Sequence, residues 1–504
     1  MSEYLIQGET LTGIADAIRA KTGSADQIAV TDMAAEIEAI RSGGSAPSVK
    51  QQDVNFYDYD GTLLYSYTVA EAQALTELPA GPEHEGLVFQ KWNWNLENVK
   101  ALTRKMNIGA QYTTDDGTTR LYIHLEEGRT SPMLGVCPNG TVTVDWGDGT
   151  TPDVLTGAST STVQWTPNHE YAAPGDYVIR LTVDGSVGFS GVSSSHQCAY
   201  VLRYSNGYDE RNRVYQNALQ RVENGDGVTD IGSGAFYYCT SLSSITIPDG
   251  LTSIRNGAFE NCTSLSSITI PDGVTSIGSS EFYKCYSLSS IAIPDGVTDI
   301  GSSAFYYCTS LSSITIPDGL TSIGSSAFYY CYSLPSITIP DGVTSIENNA
   351  FNRCYSLSSI TIPDGVTSIG SSAFDNCASL SSITIPDGVT SIENNAFNGC
   401  YSLSSITIPD GVTSIKGSAF NNCYSLSSIT IPDGVTSIGD SAFVGCYGVR
   451  FYDFSRHAAV LTLSSTNVFK ILAVDCEIRV PAALYDEWIA ATNWSAYADK
   501  IVPV

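Results

Sequence analysis

Five histidines are the first residues to consider for catalysis or metal binding, because imidazole serves both as a general base and as a metal ligand. They are His84, His124, His169, His196 and His457. They are scattered along the chain, and none lies in a His-Glu-x-x-His run, beside a nucleophile-elbow serine or at metal spacing from a cysteine. No glycine-rich phosphate loop follows a strand pattern. The sequence therefore predicts a protein that is not an enzyme.

The thirteen cysteines are a second possible source of chemistry, and ten of them recur at a period of 23 between Cys239 and Cys446. Cysteines at one fixed repeat position predict a column of small, buried, reduced side chains. Disulfides between adjacent coils are the alternative, which the sequence leaves open. Cys137, Cys198 and Cys476 are isolated and have no partner at metal spacing. We expect no cofactor.

The period of 23 organises the second half of the chain. Ten units fit end to end over residues 219–448, and the unit Leu265 to Ser287 reads LSSITIPDGVTSIGSSEFYKCYS. Alternation with small polar residues predicts a short strand in which Ile268 and Ile270 face inward. Pro-Asp-Gly then ends the strand. One unit cannot bury its own apolar face, so the period predicts a stacked solenoid, roughly 50 Å long at ~4.8 Å per coil.

The unit closely resembles the leucine-rich repeat of BspA-like surface proteins, through its L-x-x-I-x-I-P strand, V-x-x-I pair and A-F-x-x-C closure. This resemblance implies an elongated, non-enzymatic binding scaffold of the kind found in bacterial adhesins and in proteins of gut bacteria and their phages. It implies no particular ligand.

The composition argues against two kinds of partner. With 52 acidic and 24 basic residues the net charge is −28, so the phosphate backbone of a nucleic acid would be repelled. No apolar stretch approaches the ~20 residues of a membrane span, so we expect no membrane insertion. Much of the acidity comes from the repeated Pro-Asp-Gly turn. A solvated ladder of turns is the preferred explanation, and a stripe of aspartates that binds a cation such as calcium is the weaker one.

Residues 1–41 predict a small helical module, because LTGIADAIRAKTG and TDMAAEIEAI each place apolar residues on one helical face. The segment resembles a short N-terminal module of phage tail and prophage structural proteins, which implies attachment to a virion. An incidental helical hairpin or an oligomerisation tag is the alternative. The first residues lack a basic start followed by an apolar run, so the sequence does not predict a secretory signal peptide. Residues 42–52 read as a Gly/Ser/Pro linker.

Residues 53–117 predict a first β-rich module. A hairpin around Asp-Gly, a short helix and a strand with Gly86, Phe89 and Trp92 resemble the internalin-type β-grasp repeat. The resemblance implies a spacer, in which the aromatic residues form core more readily than a sugar-binding platform.

Residues 118–192 predict an antiparallel immunoglobulin-like sandwich, since four strand patterns alternate with turn residues. The run DWGDGT, followed by HEY and GDY, resembles the PKD-type domain, which implies an extracellular spacer or a carbohydrate-associated module. Asp145 and Asp148 could bind calcium, but an Asp-Gly turn explains them more simply.

The ends of a solenoid expose apolar core and need polar lids. We predict an N-terminal cap at residues 193–218, where charge is mixed with tyrosine, and a C-terminal cap at residues 449–504. In the latter, VRFYDFS is expected to be the last strand, followed by a helix over residues 482–492. Trp488 and Trp494 should seal the end of the core.

Comparison of the ten copies shows where recognition could occur. Strand and turn positions hardly change, whereas the two residues after each phenylalanine differ, so these should form exposed columns that tyrosine makes suitable for sugars or peptides. Drift among duplicated units would look the same. The candidate ligand-binding residues are Tyr237, Tyr238, Tyr283, Lys284, Tyr306, Tyr307, Tyr329, Tyr330, Asn352 and Arg353. A second column, either exposed or packed between coils, is Tyr286, Tyr332, Tyr355, Tyr401, Tyr424 and Tyr447.

The sequence thus predicts a mainly β, multidomain chain in which three small modules precede a solenoid of ten coils. The favoured hypothesis is a phage or prophage tail protein on the virion that binds a bacterial surface glycan or protein and contacts other tail proteins through its N-terminus. A homotrimer is expected only by analogy with tail fibres. The alternatives are an adhesin on the bacterial cell surface and a structural spacer without a ligand.

Overall fold

The computed structural model describes residues 53–102, 106–189, 201–203 and 211–504. The helical module expected at residues 1–41 and the linker expected at 42–52 lie outside the described residues. Over the described ranges the chain is mainly β and contains a solenoid with a repeat of 23 residues, so the predicted fold class is confirmed. No helix in these ranges is long and apolar enough to span a membrane.

The first module is a four-stranded sheet in the order β2-β1-β4-β3, with two short helices. Its elements are β1 (Val54–Tyr57), β2 (Leu63–Tyr67), α1 (Val69–Gln73), β3 (Leu87–Trp92), α2 (Leu96–Lys100) and β4 (Met106–Thr114). Thr68 and Glu71 form a capping box that starts α1. Phe56 packs edge-on against Trp92, with ring centroids 4.9 Å apart, so the aromatic residues do form core.

The second module is antiparallel, and the four strand patterns predicted there are all strands. Its elements are β5 (Thr119–Leu125), β6 (Met133–Asp145), β7 (Asp153–Ala158), β8 (Gln164–Trp165), β9 (Gly175–Phe189), β10 (Leu202–Arg203) and α3 (Arg211–Ala218). Strand β9 pairs with both β5 and β6, and β7 pairs with β6. Trp146 is fully buried in its core, and its indole Nε1 donates to Asp153 at 2.9 Å.

The second module continues directly into the solenoid. The first strand of the repeats, β11 (Leu219–Glu223), pairs antiparallel with β5 of the second module and parallel with β13 (Ser244–Ile245) of the next coil. Strand β12 (Val228–Ile231) pairs parallel with β9 of the second module. The N-terminal end of the solenoid is therefore covered by this module. Much of the predicted cap at 193–218 lies outside the described residues.

Most coils contribute two short strands, which stack in register on those of a neighbouring coil; Ile337, for example, pairs with Ile360. In coils 2 and 3 one of the two strands is reduced to a single bridge, at Ile254 and at Thr269. We number the coils 1 to 10 from residue 219, with 23 residues in each. The first ladder comprises β11, β13 (Ser244–Ile245), β15 (Ser290–Ala292), β17 (Ser313–Thr315), β19 (Ser336–Thr338), β21 (Ser359–Thr361), β23 (Ser382–Thr384), β25 (Ser405–Thr407), β27 (Ile429–Thr430), β29 (Phe451–Asp453), β31 (Glu477–Val480) and β32 (Ile501–Pro503). The second ladder comprises β12, β14 (Ser276–Ile277), β16 (Asp299–Ile300), β18 (Ser322–Ile323), β20 (Ser345–Ile346), β22 (Ser368–Ile369), β24 (Ser391–Ile392), β26 (Ser414–Ile415), β28 (Ser437–Ile438) and β30 (Thr462–Leu463).

The core of the rod is a column of phenylalanines beside a column of cysteines. Successive rings from Phe236 to Phe443 stack with centroids 5.3 to 5.7 Å apart and planes within 9°. Each thiol from Cys262 to Cys446 donates to a phenylalanine carbonyl of the preceding coil, as Cys262 does to Phe236 at 3.1 Å. Burial raises the pKa of these thiols. The predicted column of buried cysteines is confirmed, and all ten are free thiols.

The stretch VRFYDFS is not the last strand, because the first ladder continues beyond β29 through β31 and β32. The phenylalanine stack also gains a further ring, Phe469, at 5.5 Å from Phe443. About twelve coils are therefore present rather than ten. The helix predicted over 482–492 is found as a 3-10 turn (Ala482–Leu484) and α4 (Tyr485–Ala490). A further 3-10 turn (Trp494–Tyr497) follows, and Trp488 and Trp494 are fully buried.

Glu281 stands immediately before Phe282, at a position where the other nine copies of the repeat carry alanine. Its side chain is fully buried, and burial raises its pKa well above the ordinary value. The backbone N–H of Gly278 donates to Oε2 at 2.5 Å, while the buried Oε1 has no hydrogen-bond partner. The protonated form is therefore favoured in the folded protein.

Replacement of Glu281 by alanine should stabilise the protein at neutral pH. The pKa in the folded state is raised, so unfolding releases a proton, and the carboxyl group lowers stability as pH rises above about 4.5, its ordinary pKa. We expect Glu281→Ala to raise the free energy of unfolding by about 1–3 kcal/mol at pH 7.5, and by much less at pH 4.5.

Thermal denaturation of parent and variant at both pH values measures this difference. Glu281→Gln, which cannot ionise, should also remove the pH-dependent part. A gain for Glu281→Ala that is the same at both pH values would contradict the assignment of a buried, protonated carboxyl group.

Candidate binding surface

Tyrosines from coils 3 to 6 form one continuous group on the side of the rod that follows the phenylalanine column. We call this group the tyrosine cluster. Its members are Tyr283, Tyr286, Tyr306, Tyr307, Tyr329, Tyr330, Tyr332 and Tyr355. The group forms because each unit carries its tyrosines at the same positions within the coil, so that the stacking of coils brings equivalent rings into contact.

The rings of the cluster stack on one another along the rod. Tyr306 lies between Tyr283, at 4.9 Å, and Tyr329, at 4.7 Å, with planes within 14° of parallel. Tyr307 stacks on Tyr330 at 4.2 Å. Desolvation by burial, together with the neighbouring tyrosines, raises the pKa of Tyr306 to about 12. The cluster therefore presents neutral hydroxyl groups at physiological pH.

Two cations border the cluster at its two ends. The ammonium of Lys284 lies 5.2 Å from the ring centre of Tyr283, and the guanidinium of Arg353 lies 4.8 Å from that of Tyr330. Arg353 also donates to the hydroxyl of Tyr330. Within the described residues neither cation lies within ion-pair distance of a carboxylate, whereas Arg255 pairs with Asp230 at 3.2 Å.

The second residue after each phenylalanine has a left-handed backbone, with φ near +60° in all ten coils. Asparagine and glycine tolerate this conformation, and five copies carry one of them. The other five carry tyrosine, lysine or arginine, for which the conformation costs ~1 kcal/mol or more. These five residues are Tyr238, Lys284, Tyr307, Tyr330 and Arg353. Four of these five large residues lie in coils 3 to 6, at the cluster. Serines with a left-handed backbone, by contrast, recur two residues before phenylalanine along the rod.

The structure places the predicted site residues unevenly. Tyr237 and Tyr238 contact each other on coil 1 but are separated from the cluster by Glu260 and Asn261 of coil 2. Asn352 was expected in an exposed column, and this is wrong: it is 4% exposed. Its amide donates to Asn349 of the same coil at 3.0 Å and to Asp375 of the next coil at 3.4 Å, and these polar side chains cover it. The remaining predicted residues are half-buried rather than fully exposed.

The second tyrosine column turns out to be both exposed and packed between coils. Tyr401 and Tyr424 are about 40% exposed, yet their rings stack at 5.0 Å. Tyr332 and Tyr355 stack in the same way, and Tyr332 contacts Tyr330 at 5.3 Å. Tyr332 and Tyr355 therefore belong to the cluster, and their spacing of 23 is the signal for them in the sequence.

A different face of the rod is already occupied, because the first module docks on the strand ladder of coils 2 to 5. Asn107 donates through its backbone N–H to Thr315 at 2.6 Å, and Asn93 donates to the carbonyls of Ile270 and Ala292 at 3.3 Å. Lys91 pairs with Asp249 and Asp272 at 2.8 Å each. The strand threonines of coils 2, 3 and 5 are buried, whereas their equivalents from coil 6 onward are exposed.

Two small residues permit this docking. A Cβ on Gly109 would lie 2.5 Å from the hydroxyl oxygen of Thr269, so only glycine allows β4 to come so close. Coil 4 carries Ala292 where the neighbouring copies have threonine, and this alanine is 5% exposed beneath the module. The replacement of the repeat's threonine by Ala292 thus coincides with the contact between the first module and the rod.

The histidines of the described ranges are in ordinary structural surroundings. His84, His124 and His169 each contact one aspartate at 2.8 Å. His457 is buried, and desolvation lowers its pKa. His196 lies outside the described residues. In the ranges that the structure describes, no group of three histidine, cysteine, aspartate or glutamate side chains is placed to hold a metal ion.

Asp145 and Asp148 both accept hydrogen bonds within a turn. Asp145 accepts from the N–H of Gly147 at 2.9 Å, and Asp148 accepts from Thr150 and contacts His169. These contacts agree with the simpler of the two explanations, an Asp-Gly turn.

The repeat pattern agrees with comparisons to known proteins. Residues 211–334 and 321–450 match the BspA type leucine rich repeat region, with six copies. The crystal structure of a leucine-rich cell surface protein from Faecalibacterium prausnitzii A2-165 is 33% identical, and the match covers 55% of this chain and 80% of that one, with a TM-score of 0.37. This chain belongs to the BspA-type leucine-rich repeat family.

Two other solved leucine-rich repeat proteins extend the comparison. A leucine-rich repeat protein of T. pallidum is 33% identical over 36% of this chain and 74% of its own, with a TM-score of 0.27. One from Bacteroides ovatus is 25% identical over 51% and 88%, with a TM-score of 0.27. No curated protein matches the chain. The β-grasp, PKD-type and phage-tail resemblances are not tested by these matches and stay predictions.

The left-handed backbone at Lys284 leads to a prediction about stability. Glycine stands at this position in coils 8 and 10, so Lys284→Gly should relieve backbone strain and raise the free energy of unfolding by about 1 kcal/mol. The same change at Lys416, which does not have a left-handed backbone, should lower stability by ~0.5–1 kcal/mol. Chemical denaturation measures both. The prediction fails if the two substitutions change stability in the same direction.

The close approach of β4 leads to a second prediction. Gly109→Ala should weaken docking of the first module by about 1–3 kcal/mol, because the new methyl group overlaps Thr269. Hydrogen exchange of backbone amides in residues 106–114 should become faster. Thr269→Ala in the same chain should restore protection. Gly250→Ala, where a Cβ meets no atom within 4 Å, is the matched control. Unchanged exchange in Gly109→Ala would contradict the docking geometry.

Proposed function

We propose that this BspA-type protein is a non-enzymatic adhesion protein of the bacterial cell surface and that it binds its target through the tyrosine cluster. The family match and the F. prausnitzii cell surface relative support the surface location. The single observation that carries the binding role is that four of the five large residues with a left-handed backbone after phenylalanine lie at the cluster. Large side chains at positions where asparagine and glycine cost less are a feature of functional sites.

The location of the cluster on the rod supports the same proposal. The strand face of coils 2 to 5, which would otherwise offer a regular surface, is covered by the first module. The cluster lies on the same coils but outside that contact, so docking leaves it accessible. Docking also braces coils 2 to 5 through hydrogen bonds and ion pairs, which keeps the cluster pre-organised and lowers the entropy cost of binding.

The hypothesis of a phage or prophage tail protein rests on residues 1–41, which lie outside the described part of the chain. The family match favours a cell-surface adhesin over a virion protein. We therefore propose the adhesin, and the binding experiment below includes bacterial cells as a possible target.

Adsorption of the labelled full chain to a panel of bacterial and mammalian epithelial cells tests the proposal. Tyr306→Ala combined with Tyr329→Ala should reduce adsorption at least tenfold, because each removal opens the central stack and costs about 1 kcal/mol or more of contact. Tyr401→Ala combined with Tyr424→Ala removes an equally stacked but more exposed pair outside the cluster, and should leave adsorption unchanged.

Two outcomes would count against the proposal. Equal loss of adsorption in both double variants would show that the cluster has no special role in binding. Failure of the intact chain to adsorb to any cell of the panel would favour the structural spacer.

A further inference from the structure

We propose that the tyrosine cluster binds an anionic polysaccharide, with carboxylate or sulfate groups held by Lys284 and Arg353. This inference rests on the proposed function, since it names the ligand class of the same site. It depends on three observations: the central rings present their edges, no carboxylate of the described residues lies within ion-pair distance of the two cations, and acidic side chains mark the ends of the site.

The faces of the central rings are not available for stacking on a sugar. Tyr306 is covered on both sides by Tyr283 and Tyr329. Tyr330 is covered by Tyr307 on one side and by the guanidinium of Arg353 on the other. What remains for a ligand is the ring edges, which carry partial positive charge, and the hydroxyl groups, which donate hydrogen bonds. Both features favour an electron-rich, oxygen-bearing ligand over an apolar sugar face.

The chain has a net charge of −28. Several of its cations pair with a carboxylate, as Arg255 does with Asp230 and Arg456 with Asp410. Lys284 lies near the ring of Tyr283, and Arg353 lies near the ring of Tyr330 and donates to its hydroxyl group. A strained backbone conformation is maintained at both residues. Asp375 interacts electrostatically with Arg353, but no carboxylate of the described residues lies within ion-pair distance of either cation. A cation held at this cost without a direct ion pair is placed to meet an external anion.

The spacing favours a polymer. The two cations lie on coils 3 and 6, three rungs apart, which is about 15 Å along the rod. Tyrosine hydroxyl groups fill the interval, so a linear chain of sugars lying along the axis meets a charge at each end and hydrogen-bond donors between them.

Acidic residues limit the site at both ends. In the column that holds Tyr283, Tyr306 and Tyr329, coil 2 carries Glu260 and coil 7 carries Asp375. A polyanion that extends beyond coils 3 to 6 along this column meets like charge. The cluster is therefore matched to a short anionic segment, and the net negative charge of the rod disfavours binding elsewhere.

Binding of the full chain to immobilised dextran sulfate, polygalacturonate and neutral dextran tests this ligand class. We expect binding to at least one of the two anionic polymers, no binding to neutral dextran, and affinity that falls when salt is raised from 50 to 200 mM. The two anionic polymers distinguish sulfate from carboxylate recognition. Equal affinity for neutral dextran would overturn the proposal.

Paired substitutions locate the site. Lys284→Asn combined with Arg353→Asn should weaken polyanion binding at least tenfold, and both positions accept asparagine because asparagine occupies them in other coils. Lys416→Asn removes one cation from the rod away from the cluster and should leave affinity unchanged. An unchanged affinity of the double variant, or equally tight binding of polyglutamate, would overturn the assignment to a polysaccharide.

The outcome for the ligand class is separable from that for adhesion. If cell adsorption depends on Tyr306 and Tyr329 but no anionic polysaccharide binds, the ligand class is wrong and the adhesion site stands. If neither cell adsorption nor polysaccharide binding depends on the cluster, both proposals fail.

Discussion

Backbone hydrogen bonds between successive coils are the interaction on which the rest of the structure depends. The N–H of Phe305 donates to the carbonyl of Ala327 in the next coil at 2.8 Å, and the same bond recurs along the rod. These bonds are possible only if neighbouring units keep one register, and the stacked phenylalanines and buried thiols fill the interior that the register creates. Because one coil alone would leave half of these groups unpaired, the array forms only as a whole.

The same register determines which neighbours surround a residue that differs from its equivalents in the other copies of the repeat. A side chain in one coil lies about 5 Å from its equivalents in the next, so substitutions accumulate into columns instead of isolated points. Tyrosines added at one position become a stack, and a single acid in an alanine column, Glu281, is buried without a counter-charge. Identity of the units thus gives stability, while the few differences between them create the chemically distinct surfaces.

The first module alters which of those surfaces are available. By covering the strand face of coils 2 to 5 it removes a regular array of hydroxyl groups from solvent and leaves the tyrosine side of the same coils open. The contact depends on Gly109 and on the exchange of threonine for alanine at residue 292. The spacer-like modules before the repeats and the repeat rod are therefore one continuous structure over the described ranges, joined also by the pairing of β11 with β5.

The repeat, its inward isoleucines, its cysteine column and the solenoid follow from the sequence alone, since a period of 23 with fixed apolar positions permits one way of burying them. The tyrosine columns could also be found, because columns require only a common spacing. The burial of Asn352 and the continuation of the first ladder beyond β29 could not, because both depend on contacts between coils. The folded chain alone shows which face the first module covers and that the central tyrosine rings present their edges, since both result from packing between residues that the sequence does not relate.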